Sequence, residues 1–186
     1  MTAFAAGIEL APYEVAQYAE RYATRTARRS RYHGPRHWHD VARIGRVIAL
    51  ADSEVDPLVV FLFAALHDTR RHNDWCDPEH GKRAAEVVNR LWGDGRLRLS
   101  DDQVVTLMTA LTRHDRRGIT INPDIGACWD ADRLTLPRVG TRVDPNLLSS
   151  RVIKANLSLF LRVARDTMAA PARRAPWRAV ADEYGY

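Results

Sequence analysis

Seven histidines are set into this chain of 186 residues, and their neighbours decide which of them could do chemistry. They are His33, His37, His39, His67, His72, His80 and His114. Three are followed by aspartate, in His39-Asp40, His67-Asp68 and His114-Asp115. Only His67-Asp68 closes an unbroken apolar run, Leu58–Leu66. A carboxylate at the end of a buried helix costs several kcal/mol unless a cation or hydrogen bonds compensate it. A salt bridge to Arg70 or Arg71 is one way out, and a metal ion is the other. His37 and His39 lie two apart and leave a helix on roughly opposite sides, so one of them can face the same ion. Asp130 and Asp132 stand in the same relation. One early His, the central pair and one late Asp, drawn from three helices, can converge on one divalent cation. Imidazole nitrogen with carboxylate oxygen suits Mn²⁺, Fe²⁺, Co²⁺ or Zn²⁺, with Mg²⁺ also admitted, and excludes Ca²⁺ as the natural choice.

The elements that must position these groups read as helices parted by Pro and Gly. The first is expected from Pro12 to about Arg28, with Pro12 at a permitted first-turn position. The second opens at Gly34-Pro35 and carries Val41, Ile44, Val47, Ile48 and Ala51 on one stripe. The third starts at Pro57 and is apolar on every side, the pattern of a helix at a domain centre. Asp77-Pro78 is expected to cap and start a fourth helix ending at Gly93. Ser100 and Gln103 have capping-box spacing and open a fifth. A loop, RRGITINPD, precedes a short helix over IGACWDADRLTL; within it, residues 119–122 are the sole strand candidate. Asp144-Pro145 begins a last long helical region to about Ala170, and residues 176–184 form a closing helix. The fold class is all-α, one domain over 1–186, with the motif-bearing core at about 30–145 and helices from 145 onward packed on it or forming a homodimer contact.

Composition narrows the class. Apolar residues are 46% and charged residues 27%, which excludes wholesale disorder. No segment approaches the ~20 apolar residues that a bilayer requires. The first residues, MTAFAAGIELAPYEV, lack a basic start and do not read as a secretion signal. Two cysteines, Cys76 and Cys128, make no disulfide framework and fit a reducing compartment, so a cytoplasmic location is expected. Cys76 with His80 finds no second pair at zinc-ribbon spacing. The net charge of +5 and the cluster Arg21, Arg25, Arg28, Arg29 and Arg31 raise nucleic acid as a partner, against a solvated basic helix face as the plainer account. Trp38, Trp75 and Trp129 are read as packing residues or stacking surfaces for a nucleobase.

The ordered blocks RYHGPRHWHDVARI, AALHDTRRHNDWCDPEHGKRAAE and CWDADRLTLPRVG resemble the HD-domain superfamily of metal-dependent phosphohydrolases, and in particular a branch of small, poorly characterised bacterial members. That resemblance implies an all-helical fold with a metal among the central helices, held by His37, His67, Asp68 and Asp132, with Asp130 as the substitute for the last. It implies hydrolysis of a phosphate ester of a nucleotide or another small phosphorylated metabolite by a metal-activated water. Arg36 and Arg71 then become candidates for phosphate contact. Asp74, Asp77 and Glu79 become candidates for acid–base work, with Asp77 and Glu79 also suited to a helix start. Some superfamily members, including di-iron oxygenases and cyclic-di-GMP phosphodiesterases, add two histidines and bind two ions. His80 and His114 occupy those places in the order here and are read as substrate contacts, with extra metal ligation in an oxygenase as the alternative. A non-catalytic ligand-sensing or nucleic-acid-binding protein is the remaining alternative.

Overall fold

Helices account for all the regular structure among the described residues of a computed structural model, which are 8–116, 118–170 and 176–186. The reading of the N-terminal residues as lacking a secretion signal falls in part, over 1–7, outside that span. The centre is α4 (Pro57–Leu66), started by the Asp56 carboxylate, which accepts the Leu58 N–H. Every residue from Val59 to Leu66 is buried, as an all-round apolar helix requires. Around it pack α1 (Pro12–Arg21), α3 (Pro35–Ala51), α6 (Asp101–Arg113) and α7 (Pro123–Arg133). The remaining long elements cover this shell. α5 (His80–Gly93) lies along α6, α9 (Leu157–Ala169) lies on α3, and α10 (Trp177–Tyr184) closes over α1, α3 and α4. No described helix is long and apolar enough to cross a membrane.

Four boundaries differ from the sequence expectation, each for a local reason. The first helix ends at Arg21, and a separate α2 (Arg25–Arg29) restarts from Thr24, whose hydroxyl accepts the Ala27 N–H. The Thr24 hydroxyl also donates to the Arg71 carbonyl, and its N–H reaches Thr69, so tertiary bonds turn the chain there. α5 begins at His80 because Asp77 is committed elsewhere, to Arg83 and to the His72 N–H. Residues 119–122 form no strand; Ile121 is exposed and Asn122 caps α7, accepting the Ile125 N–H. The region after Asp144 divides into a 3₁₀ turn (Pro145–Leu147), α8 (Arg151–Ala155) and α9.

Candidate metal centre

The end of α4 is where the site forms. His67 caps that helix and Asp68 follows in the turn, both buried. An acid at a helix C-terminus faces the negative end of the dipole, so burial and position both call for positive charge nearby. Four further elements supply the neighbours. α3 brings His37 in its first turn, α7 brings Asp132 near its end, and α5 and α6 bring His80 and His114.

These groups form two triads, each with its ligand atoms close enough to share one ion: His37, His67 and Asp132, and Asp68, His80 and His114. Within the first, the His37 and His67 Nε2 atoms are 3.0 Å apart, and His37 Nε2 is 3.2 Å from Asp132 Oδ1. Within the second, the His80 and His114 Nε2 atoms are 2.8 Å apart. Asp68 joins them. Its Oδ2 is 3.5 Å from the Nε2 atoms of both His37 and His67, and its Oδ1 is 3.1 Å from His80 Nε2.

The tautomers test whether a cation fits. His67 Nδ1–H donates to the Ala64 carbonyl, and His114 Nδ1–H donates to the Leu111 carbonyl. His80 Nδ1–H likewise donates to the Asp77 carbonyl. In neutral rings fixed that way, the Nε2 lone pairs point at one another, 3.0 and 2.8 Å apart within the two pairs, with carboxylate oxygens 3.1–3.5 Å away. Lone pairs so arranged call for positive charge; Arg138 supplies it at His37 and Arg71 at His80, and an ion or a proton would supply it between the rings. Burial alone would raise the Asp68 carboxyl; His67, His114 and His80 overcome that and hold it well below the ordinary range. Burial likewise acts to raise Asp132, and His37 beside it brings it down. His67 is driven down to about 3 by burial, so it stays a neutral donor. His114 moves the other way, because the Asp68 carboxylate outweighs its burial. The donor set therefore fits two divalent ions of the kind that accept imidazole and carboxylate together.

Phe63, fully buried, sets the rings of both triads: it stacks on His67 at 5.1 Å and meets His114 edge-on at 5.8 Å. Arg71 donates from Nη1 to Asp68 Oδ1 at 3.2 Å and is tied to the Asn73 and Trp75 carbonyls. Arg138, on a 3₁₀ turn (Leu136–Val139), places Nη2 at 3.1 Å from His37 Nε2. No sequence signal singled out Arg138; its nearness to the DADRL block was the one available hint.

The other expected residues separate clearly. Asp130 lies away from the triads and accepts the Ser149 and Ser150 N–H groups, so Asp132 is the late acid that meets His37. His39 packs edge-on to Trp177, on the far side of α3. Asp74 accepts from His33 Nδ1 at 3.3 Å, a pairing that sequence reasoning missed because His33 has no flanking motif. Asp77 is bound to Arg83, and Glu79 is exposed beside Lys82, so neither faces the triads. Arg36 donates to the Met168 and Ala170 carbonyls at the rim. His80 and His114 are buried against Asp68, where their ring nitrogens could ligate an ion together with it. Trp38 and Trp129 are packing residues with their N–H groups on the His33 and Ala110 carbonyls, whereas Trp75 is 88% exposed. Cys76 is exposed and Cys128 buried.

A cleft of about 690 Å³ reaches His37 from outside, walled by Arg31, Arg36, Arg138 and Arg165 with Asp40 on its floor. Burial raises the Asp40 carboxyl to about 6, against the pull of Arg36, Arg43 and Arg138. The folded state thus holds this proton more tightly than the unfolded chain. The stability that protonated Asp40 contributes is complete below about pH 4 and is lost as pH rises through about 6. Asp40→Asn is therefore expected to gain on the parent protein by on the order of 2 kcal/mol between pH 4 and pH 7. Thermal unfolding of both proteins across that range checks it; a constant difference between them removes Asp40 as the cause.

No protein-family profile, no curated protein and no solved structure matches the chain.

Proposed function

We propose that the chain is a metal-dependent phosphohydrolase acting on a nucleotide or another small phosphorylated metabolite. The observation that carries the reading is Asp68, whose two oxygens face two separate groups of buried imidazoles beside a cleft walled by arginines. The H…HD…D order that resembles the HD-domain phosphohydrolases supports it from the sequence side.

His37, His67 and Asp132 would hold one divalent ion, His80 and His114 a second, with Asp68 shared between them. When bound, such ions supply Lewis acidity to a phosphoryl oxygen and a water that ionises near neutral pH. The protein's own groups do the rest. Arg138, between the cleft and His37, and Arg71, against Asp68, are fixed cations that can take the equatorial oxygens of a phosphoryl group. Their partners hold them in place before substrate arrives, which avoids reorganisation during reaction. The Asp74 carboxylate orients the His33 ring, leaving its Nε2 as the atom through which a proton can pass to a departing oxygen.

Two results decide the matter. Metal analysis of protein purified without chelator should give two ions per chain. A panel of nucleotides and sugar phosphates with Mn²⁺, Co²⁺, Mg²⁺, Fe²⁺ or Zn²⁺ should give turnover that chelator abolishes. The two-triad arrangement also suits an iron-dependent oxygenase; dioxygen uptake by iron-loaded protein, with no ester hydrolysed under any metal, would replace the present reading with that one. Tight nucleotide binding without turnover would instead indicate a sensor.

A further inference from the structure

The cleft at His37 does not stand alone. A second recess, of about 450 Å³, is lined by Arg21, Arg25, Arg28, Arg29, Pro35 and Glu20. Pro35 lines this recess while the next two residues, Arg36 and His37, line the cleft, so the two abut at the start of α3. Together their walls carry eight arginines against two carboxylates, Glu20 and Asp40. Arg21, Arg25, Arg28, Arg29 and Arg31 are exposed, and none has an ion-pair partner among the described residues. Five unpaired guanidinium groups so close together repel one another, and a polyanion relieves that repulsion.

The track is also rigid. Gly34 sits so close to α2 that an added Cβ would lie 2.3 Å from the Ser30 carbonyl oxygen. Ser30 accepts the Tyr32 and His33 N–H groups, and Arg138 donates to the Tyr32 carbonyl at 2.9 Å. Beyond this turn lies a third recess, of about 560 Å³, lined by Tyr32, His33, Asp74, Trp75, Cys76 and Val139. Trp75 stands 88% exposed and Tyr32 49% exposed, and neither is needed to fill the core. Exposed aromatic faces beside a groove of arginines are what an unpaired nucleic-acid strand uses, bases stacking while phosphates follow the cations.

We propose that the substrate is a short single strand of nucleic acid, its backbone running along Arg21, Arg25, Arg28 and Arg29 into the cleft and a base resting on Trp75 and Tyr32. This rests on the hydrolase reading and specifies its substrate, since eight wall arginines and a separate aromatic recess offer more cations and stacking surface than one mononucleotide can engage.

Binding, rather than turnover, tests it. The probe is a 12-nucleotide single strand with a fluorescent end label, titrated with the full chain in the presence of chelator, with anisotropy read over a series of salt concentrations. The expected result is affinity that falls with salt at a slope of about −0.7 per phosphate contact. Arg25→Glu with Arg28→Glu should weaken binding at least about tenfold and make the slope shallower by about 1.4. Trp75→Ala should weaken it by about fivefold or more, with little change in slope. Far-ultraviolet circular dichroism confirms that each variant is folded. Equal affinity for a mononucleotide, equal affinity for a duplex, or a charge reversal without effect overturns the proposal. Because no step of the assay depends on catalysis, a chain that hydrolyses small esters but fails here loses this inference alone. A chain that binds strands and hydrolyses nothing loses the hydrolase reading.

Discussion

On the hydrolase proposed above, Asp68→Asn is expected to leave a folded chain that has lost its turnover. The native carboxylate offers one oxygen to His37 and His67 and the other to His80 and His114. An amide has the same shape but keeps one acceptor, so whichever way it turns, one triad faces an NH₂ group instead of a ligand oxygen. The negative charge at the centre disappears as well, and with it much of the attraction for two divalent cations. Metal content should fall from two ions per chain to one or none, and the hydrolytic rate should drop on the order of 10³ or more. The metal-free variant should be less stable than the metal-free parent, because the buried Arg71 guanidinium and the His80 and His114 rings lose the carboxylate that faces them. Emission spectrometry, steady-state rates and thermal unfolding with chelator check the three parts. Unchanged metal content together with unchanged rate would remove Asp68 from the centre of the site.

The sequence made α4 and its polar end legible because two strong signals coincided there: nine apolar residues in a row, then His-Asp. The choice of Asp132 over Asp130 was less open to inspection. Both lie on α7, and what separates them is a tertiary event, the capture of Asp130 by the Ser149 and Ser150 N–H groups from the chain after Gly140. His80 and His114 meet through the packing of α5 on α6, which no local pattern announces, so the sequence offers them only as substrate contacts or as extra ligands. Asp77 shows the opposite failure. Its position before Pro78 is a sound capping signal, yet Arg83 and the His72 N–H outbid the helix terminus. Arg138 and His33 had no periodicity or motif to mark them: Arg138 sits on a turn that reaches the Tyr32 carbonyl across the chain, and His33 on a turn closed locally by the Ser30 hydroxyl. What sequence patterning reported well was therefore burial; what it missed was the partner of each polar group.

Gly81→Ala is expected to break the second triad while sparing the first. Gly81 follows His80 on α5, where that helix crosses α6, and a Cβ there would lie 2.1 Å from the Leu111 carbonyl oxygen. It would also lie 3.2 Å from His114 Nδ1, the very atom that donates to that carbonyl. Backbone cannot rotate aside as a side chain can, so the helices must part by roughly 1 Å, which a close-packed interior resists. Overpacking of this kind costs about 3 kcal/mol or more, and in a chain of this size that lowers the melting midpoint by about 6–12 °C. The displaced Leu111 carbonyl no longer fixes the His114 tautomer, so His80 and His114 lose their common focus. His37, His67 and Asp132 stand on other helices and keep theirs, so one ion per chain should remain instead of two. Gly93→Ala on the same helix is the control, because nothing lies within 4 Å of its Cβ position. There, replacing glycine should be neutral or gain up to about 1 kcal/mol from helix propensity. If Gly81→Ala behaves like Gly93→Ala, α5 and α6 do not meet closely enough to build a shared site, and the second group of ligands is dissolved along with that contact.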